Sequence, residues 1–167
     1  MMEESPTKSR KIRILFLCGA NAARSQMAEG FLRATAADRA EATSAGIRAD
    51  RLDPMTVQVM QEAGVDISGQ QAKTLADLGP QTFDLVVTTC DAARDFCCDA
   101  VESADGEESA GNGSGKNPLF VGTPVRVDWD IPDPIAAAND GGSRLGDFRG
   151  TRDRIRDHVR ELVDAYL

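Results

Sequence analysis

Apolar residues along this chain fall into two patterns that alternate: short unbroken runs, and stripes with a period near 3.6. Ile14 to Leu17 is the first run, ending at Cys18, and predicts a buried strand over Lys11 to Leu17. A stripe of Met27, Phe31 and Ala34 predicts a helix from Ala23 to about Ala37. Ala40 to Ile47 reads as a short second strand ending at Gly46. Asp53-Pro54 opens a second helix, with Asp53 as N-cap and Pro54 at the first helical position. Met55, Val59, Met60 and Ala63 form its inner stripe, and Gly64 sits where its C-cap belongs. A short helix follows near Thr74 to Leu78. Phe83 to Thr88 is the third strand, again a near-continuous apolar run, and Phe120 to Trp129 the fourth. A long amphipathic helix from about Leu145 to Tyr166 closes the chain, with Phe148, Ile155, Val159, Leu162, Val163 and Tyr166 on one face. No internal repeat is present.

Strands alternating with helices imply an α/β fold: a central four-stranded parallel sheet between helical layers, a three-layer sandwich. Ligands in such sheets bind at the carboxyl ends of the strands. Cys18 follows the first strand, Cys90 the third and Asp133 the fourth, so the topology gathers them on one edge of the sheet. The expected organisation is a mobile tail over 1–10 and a single domain over 11–167. Residues 102–117 are rich in Gly, Ser, Ala and acids and read as a flexible surface insertion.

Composition narrows the function classes. The length of 167 residues, 41% apolar and 28% charged, suits one soluble domain with a full core. A net charge of -8 argues against nucleic acid or an anionic membrane as partner. Any anion site must therefore be built locally. No run approaches the ~20 apolar residues of a membrane span. The polar start lacks the apolar core of a signal peptide, so a cytoplasmic location is expected. In a reducing compartment the four cysteines, Cys18, Cys90, Cys97 and Cys98, point to catalysis, redox chemistry or metal rather than structural bridges.

The candidate chemistry centres on Cys18-Gly19-Ala20-Asn21-Ala22-Ala23-Arg24-Ser25. A strand end, a small-residue turn and a helix start make a nest of backbone N–H groups for a tetrahedral oxyanion. The same nest favours the thiolate of a cysteine at its mouth, which makes Cys18 a nucleophile. Arg24 offers a planar fork to two oxygens of the anion. Ser25 can donate a hydrogen bond to the thiolate, and Asn21 can hold positive φ in the loop. Asp133, before Pro134, is the candidate proton donor to a departing oxygen, with Asp128 and Asp130 as nearby competitors. Cys90 and Cys97 lie seven apart, about 10 Å along an intact helix and beyond disulfide reach unless the segment unwinds. A redox relay with a movable segment, buried inert thiols and a zinc site are the three readings of this cluster. Zinc is disfavoured by the adjacent Cys97-Cys98 pair. His158, the single histidine, belongs to the terminal helix and reads as packing or surface.

The segment from Cys18 to Gly30 resembles the catalytic loop of low-molecular-weight protein tyrosine phosphatases. It is more similar to the thioredoxin-coupled arsenate reductases built on that fold. Ser44-Ala45-Gly46, Asp84 to Cys90 with Cys97, and Trp129-Asp130-Ile131-Pro132-Asp133-Pro134 match the reductase branch. The resemblance implies that Cys18 attacks arsenic while Asp133 protonates the departing oxygen. Cys90 then attacks Cys18, arsenite leaves, and Cys97 takes over the disulfide with Cys90 for reduction by thioredoxin or an equivalent thiol donor. No cofactor and no metal are expected for this chain. The shared loop also implies residual phosphatase activity. A phosphatase acting on phosphotyrosine or a small phosphoester is the alternative, and a non-enzymatic arsenite or metal sensor a third reading.

The sequence departs from the family pattern in four places. Ala22 and Ala23 stand where many phosphatases carry a second cysteine, and Ile135 follows Pro134 where they carry tyrosine. Asn21, Glu29 and Ser44 match three potassium ligands of some reductases, but Lys73 stands in place of the fourth, an Asp. The expectation is that the Lys73 ammonium replaces the cation and activity is independent of potassium. Cys98 occupies a common proline position and is a second candidate for the resolving thiol. The 102–117 insertion follows the redox segment directly.

Overall fold

The computed structural model describes residues 10–79, 81–90, 93, 124–137 and 144–167. The tail over 1–9, Cys97, Cys98 and the 102–117 segment lie outside the described residues. In chain order the elements are β1 (Ile12–Cys18), α1 (Arg24–Ala36), β2 (Ala40–Gly46), α2 (Pro54–Glu62), α3 (Leu75–Leu78), β3 (Leu85–Thr88), β4 (Val125–Asp128), α4 (Pro134–Ala137) and α5 (Arg144–Tyr166).

The four strands form one sheet in the order β2-β1-β3-β4, every pair parallel. Alternation along β1 divides the core. Ile14 and Phe16 join Met27, Leu32, Met60, Phe148, Ile155 and Val159 beneath α1, α2 and α5. Leu15 and Leu17 join Leu75, Phe83, Val86 and Ala93 on the other face, where α3 packs. Ile14, Leu15, Phe16 and Leu17 are all fully buried, which is why this stretch of β1 is a continuous apolar run. Burying each such side chain contributes about 1.5–3 kcal/mol.

The helix boundaries follow their caps. Asp53 accepts from the Met55 N–H at 2.8 Å, with Pro54 opening α2. Thr74 and Asp77 close a reciprocal capping box on α3: the Asp77 N–H donates to the Thr74 hydroxyl at 3.1 Å, and the Thr74 N–H to the Asp77 carboxylate at 2.9 Å. Those bonds hold the Asp77 carboxyl below its ordinary range. Asp84, ahead of β3, takes two hydrogen bonds from Arg10 and one from the Arg13 N–H, so Arg10, assigned to the tail from sequence, is tied to the sheet.

Two helical stripes differ from expectation at their ends. Ala34 is exposed, and Ala36 faces the core instead. Tyr166 is 43% exposed, because the apolar contacts of α5 run out at Val163, one turn earlier. His158 stacks on Trp129 with ring centroids 5.0 Å apart, a packing role.

Strand order reverses beside β1: β2 lies on one side, β3 and β4 on the other. The crevice outside the carboxyl ends of β1 and β3 is the switch point where such sheets bind ligands.

Candidate active site

The loop over 19–23 joins β1 to α1, and hydrogen bonds around its rim set its shape. The carbonyls of Cys18, Gly19, Ala20 and Ala22 accept from the N–H groups of Ile47, Arg48, Asp50 and Asp53 at 3.0–3.1 Å. The Thr56 hydroxyl adds a second donor to Ala22 at 3.2 Å. With its carbonyls engaged by the 47–56 segment on one side, the loop turns N–H groups to the other, making a concave donor surface. Ala23 is the N-cap of α1 and supplies no capping side chain, so the first turn of the helix keeps its N–H groups for a ligand. Gly46 closes the floor. A Cβ there would meet the Arg48 carbonyl, would lie 2.7 Å from the Asn21 nitrogen and 2.9 Å from the Ala20 carbonyl carbon.

Cys18 lies at the base of this cup, 2% exposed. Its sulfur accepts from the Asn21 N–H at 3.1 Å and is 2.8 Å from the Ser25 hydroxyl. The direction of that second bond follows from its neighbours. The Lys73 backbone N–H donates to Asn21 Oδ1 at 2.9 Å, which fixes the amide orientation. Asn21 Nδ2 then donates to Ser25 Oγ at 2.8 Å, and the Ser25 proton is directed to the sulfur. Ser25 thus directs its hydroxyl proton to the Cys18 sulfur and is not an ordinary helix-start residue. Asn21 has φ 52°, the single non-glycine residue with positive φ among the described residues. Its side-chain bonds hold that left-handed conformation.

Arg24 extends across the cup. Nη1 donates to the carbonyls of Thr89 at 3.3 Å and Ile131 at 3.0 Å, tying the segments after β3 and β4 to the loop. Nη2 lies 3.7 Å from Asp133 Oδ2. Asp133 Oδ1 accepts from the Ile135 N–H at 2.9 Å, which leaves Oδ2 turned toward the site. Of the competing carboxylates, Asp128 accepts from the Thr88 hydroxyl and Asp130 is exposed. Cys90 is a free, half-buried thiol just past β3, whose Thr88 is in register with Leu17 of β1. Adjacent strands lie about 4.8 Å apart, so the Cys18 and Cys90 backbones leave the sheet as neighbours. The structure therefore brings Cys18, Arg24, Ser25, Cys90 and Asp133 to one edge.

The residues matched to potassium ligands are arranged differently from expectation. Glu29 is 2% exposed; it accepts from the Ser44 hydroxyl at 2.9 Å and pairs with Arg33 at 2.9 Å. The Lys73 ammonium instead reaches the Gln71 carbonyl at 3.5 Å and is exposed. Arg33, one turn along α1, supplies the compensating charge, while Lys73 serves the loop through its backbone N–H. Sequence reasoning missed Arg33 in this role. It also missed Gln26, which is fully buried and hydrogen-bonded to Asn21, Gln70 and Gln71. Its signal is a long polar side chain directly after the Cys18 to Ser25 loop and one turn before Gly30, on a stretch of α1 that is buried throughout from Arg24 to Leu32.

Residues 13–166 match the family model described as low molecular weight phosphotyrosine protein phosphatase. The chain belongs to that family. Within the family it is similar to proteins named arsenate reductase. The relative from Halalkalibacterium halodurans is 33% identical, covering 91% of this chain and 95% of its own. The one from Bacillus subtilis is 32% identical over the same shares. A Synechocystis relative named glutaredoxin arsenate reductase is 28% identical, covering 90% and 95%. Among solved structures, an arsenate reductase in the phosphate binding state superposes with a TM-score of 0.66, at 29% identity and covering 92% and 97%. A low molecular weight protein tyrosine phosphatase from T. tengcongensis superposes with a TM-score of 0.64, at 28% identity and covering 92% and 99%. The phosphatase-like α/β fold of this family member is the one the sequence pattern implied.

Proposed function

We propose that this protein reduces arsenate to arsenite, with Cys18 as nucleophile and Cys90 as the second sulfur of a disulfide relay. The observation that carries the reading is the second thiol, Cys90, at the end of the strand beside the one that ends in Cys18. The arsenate reductase names of full-length relatives support it. The loop N–H groups over 19–25 and Arg24 bind the oxyanion. The Cys18 thiolate forms a bond to As(V), and an oxygen departs as water with a proton from Asp133. Cys90 then attacks the Cys18 sulfur. The sulfur–arsenic bond breaks with its electron pair left on arsenic, so As(V) becomes As(III) and two thiols become the Cys18–Cys90 disulfide. Cys97, or Cys98 beside it, attacks Cys90 and presents the new disulfide to thioredoxin or a similar dithiol donor. No cofactor takes part. A relay that must return to its thiol form after each turnover calls for a reducing compartment, and the cytoplasm is the proposed location; no described helix is long and apolar enough to cross a membrane.

The second reading is a phosphatase using a cysteinyl-phosphate intermediate. It is favoured by the family itself and by the tyrosine phosphatase among the structural relatives. Ala22 and Ala23 in place of a second loop cysteine and Ile135 in place of tyrosine count against it. The deciding experiment is arsenate-dependent NADPH oxidation with thioredoxin and its reductase, on the wild type and Cys90→Ser. The reductase reading expects turnover in the wild type, none in the variant, and aryl phosphate hydrolysis unaffected by the substitution. Brisk aryl phosphate hydrolysis with no arsenate turnover on any thiol donor would overturn it.

A further inference from the structure

We propose that Gln26 is a positioning residue for Cys18, acting through Asn21 and Ser25. The inference rests on Cys18 being the nucleophile. Gln26 is buried in the first turn of α1, and its side-chain hydrogen bonds go to Asn21, Gln70 and Gln71 rather than to the sulfur. Its Nε2 protons are shared among three oxygens: Asn21 Oδ1 at 2.9 Å, the Gln71 carbonyl at 3.0 Å and the Asn21 carbonyl at 3.1 Å. Two of these belong to the residue with φ 52°. Gln26 thus grips Asn21 by side chain and main chain together. Asn21 in turn sends its own N–H to the Cys18 sulfur and its amide to Ser25, which faces the same sulfur. Both donors to the sulfur are set by one residue, and that residue is set by Gln26 and the Lys73 N–H.

Gln26 is itself held from outside. Gln70 Nε2 donates to Gln26 Oε1 at 2.7 Å and to its carbonyl at 3.1 Å. This fixes the Gln26 amide so that Nε2, not Oε1, faces Asn21. The relay therefore runs from half-buried Gln70 through Gln26 and Asn21 to Ser25 and Cys18. A left-handed asparagine with fewer anchors relaxes toward ordinary φ. The loop N–H and the Ser25 donor would then leave the sulfur together, and hydrogen bonds to a charged acceptor weaken steeply with misalignment.

The test reads the thiol directly. The rate of Cys18 alkylation by iodoacetamide, located by mass spectrometry, and the thiolate absorbance near 240 nm are measured at neutral pH. The proteins are the wild type, Gln26→Met, Ser25→Ala and the double variant. Each single variant should alkylate about tenfold more slowly, as expected for loss of a hydrogen bond to a charged group. Gln26→Met added to Ser25→Ala should slow it by less than about threefold further, because coupled residues are not additive. A wild-type rate in Gln26→Met, or full additivity in the double variant, overturns the proposal. If Gln26→Met does not fold, Gln70→Ala, which removes only the outer anchor, should slow alkylation about threefold; an unchanged rate there overturns it equally. The readout needs no arsenate. A wild type that fails to turn over arsenate while these differences persist refutes the reductase reading and leaves this one standing.

Discussion

Gly46→Ala separates damage to the anion loop from damage to the fold. Gly46 ends β2, and its missing Cβ makes room for the Arg48 carbonyl, the nearest atom, and for the Ala20–Asn21 peptide at 2.7 and 2.9 Å. Carbon contacts are comfortable at about 3.5 Å or more, so a methyl group there must push that peptide by roughly 0.6–0.8 Å. The atoms it meets are backbone: the Ala20 carbonyl is held by the Asp50 N–H and the preceding peptides by Ile47 and Arg48, so they cannot swing aside as a side chain would. The same peptide carries the Asn21 N–H, 3.1 Å from the Cys18 sulfur. Overpacking of this kind costs about 1–3 kcal/mol of stability, and a shift approaching 1 Å at a reacting centre lowers kcat/KM about tenfold to a hundredfold. Gly30→Ala is the control. Its Cβ would lie 2.6 Å from the Ile67 methyl, 3.1 Å from Met60 and 3.3 Å from Val65, all side chains away from the loop. There the overpacking is partly offset by about 1 kcal/mol of helix propensity, and kcat/KM should change less than about threefold. Urea denaturation and steady-state arsenate reduction measure both quantities. Gly46→Ala with wild-type kcat/KM, or Gly30→Ala with the larger catalytic loss, would refute the reasoning.

Four further outcomes follow from the same contacts. Arg24→Lys removes the fork and one tether to Thr89 and Ile131; kcat/KM should fall about a hundredfold, and a value within threefold of wild type would contradict the assigned role. Phe148→Ala opens a cavity at the centre of the core under α5 and should cost about 3–5 kcal/mol in urea unfolding; a loss below about 1 kcal/mol would mean the site collapses freely. Because Arg33 already neutralises Glu29, replacing sodium with potassium should leave kcat/KM unchanged, and a marked rise would show that Arg33 does not fill the cation's place. The Asp84 carboxyl is held below its ordinary range by Arg10 and by the Arg13 N–H. A group whose folded pKa is depressed stabilises the fold above its unfolded pKa and loses that contribution as pH falls through the folded one. Asp84→Asn should therefore unfold at lower urea than wild type near neutrality, with the gap closing in acid; a gap that is constant with pH would disprove the linkage.

The parts of this protein legible in its sequence are those whose cause is local. Ile14 to Leu17 of β1 are buried on both faces, so they form an unbroken apolar run that needs no partner to be read. Asp53-Pro54 and Thr74 announce helix starts because a cap is satisfied within three residues of itself. The Cys18 to Ser25 loop carries its function in one stretch because a nest is made of consecutive N–H groups. What the sequence hid depends on groups far apart along the chain. Gln26 meets Gln70 and Gln71 across 44 and 45 residues, and Asn21 meets the Lys73 N–H across 52. Such contacts leave no periodicity, and a backbone donor leaves no side chain to notice. Lys73 has that form: its charged side chain stands out in the sequence, whereas its main-chain N–H serves the site. Arg33 and Glu29 were readable as an i, i+4 pair on α1, but only the burial of Glu29 shows that the guanidinium holds a carboxylate beneath the loop. The active edge is thus specified twice. Consecutive residues fix which groups face the oxyanion, and amide bonds from the 70–73 segment fix how firmly they are held. Sequence exposes the first layer, and the second appears only when the chain is folded.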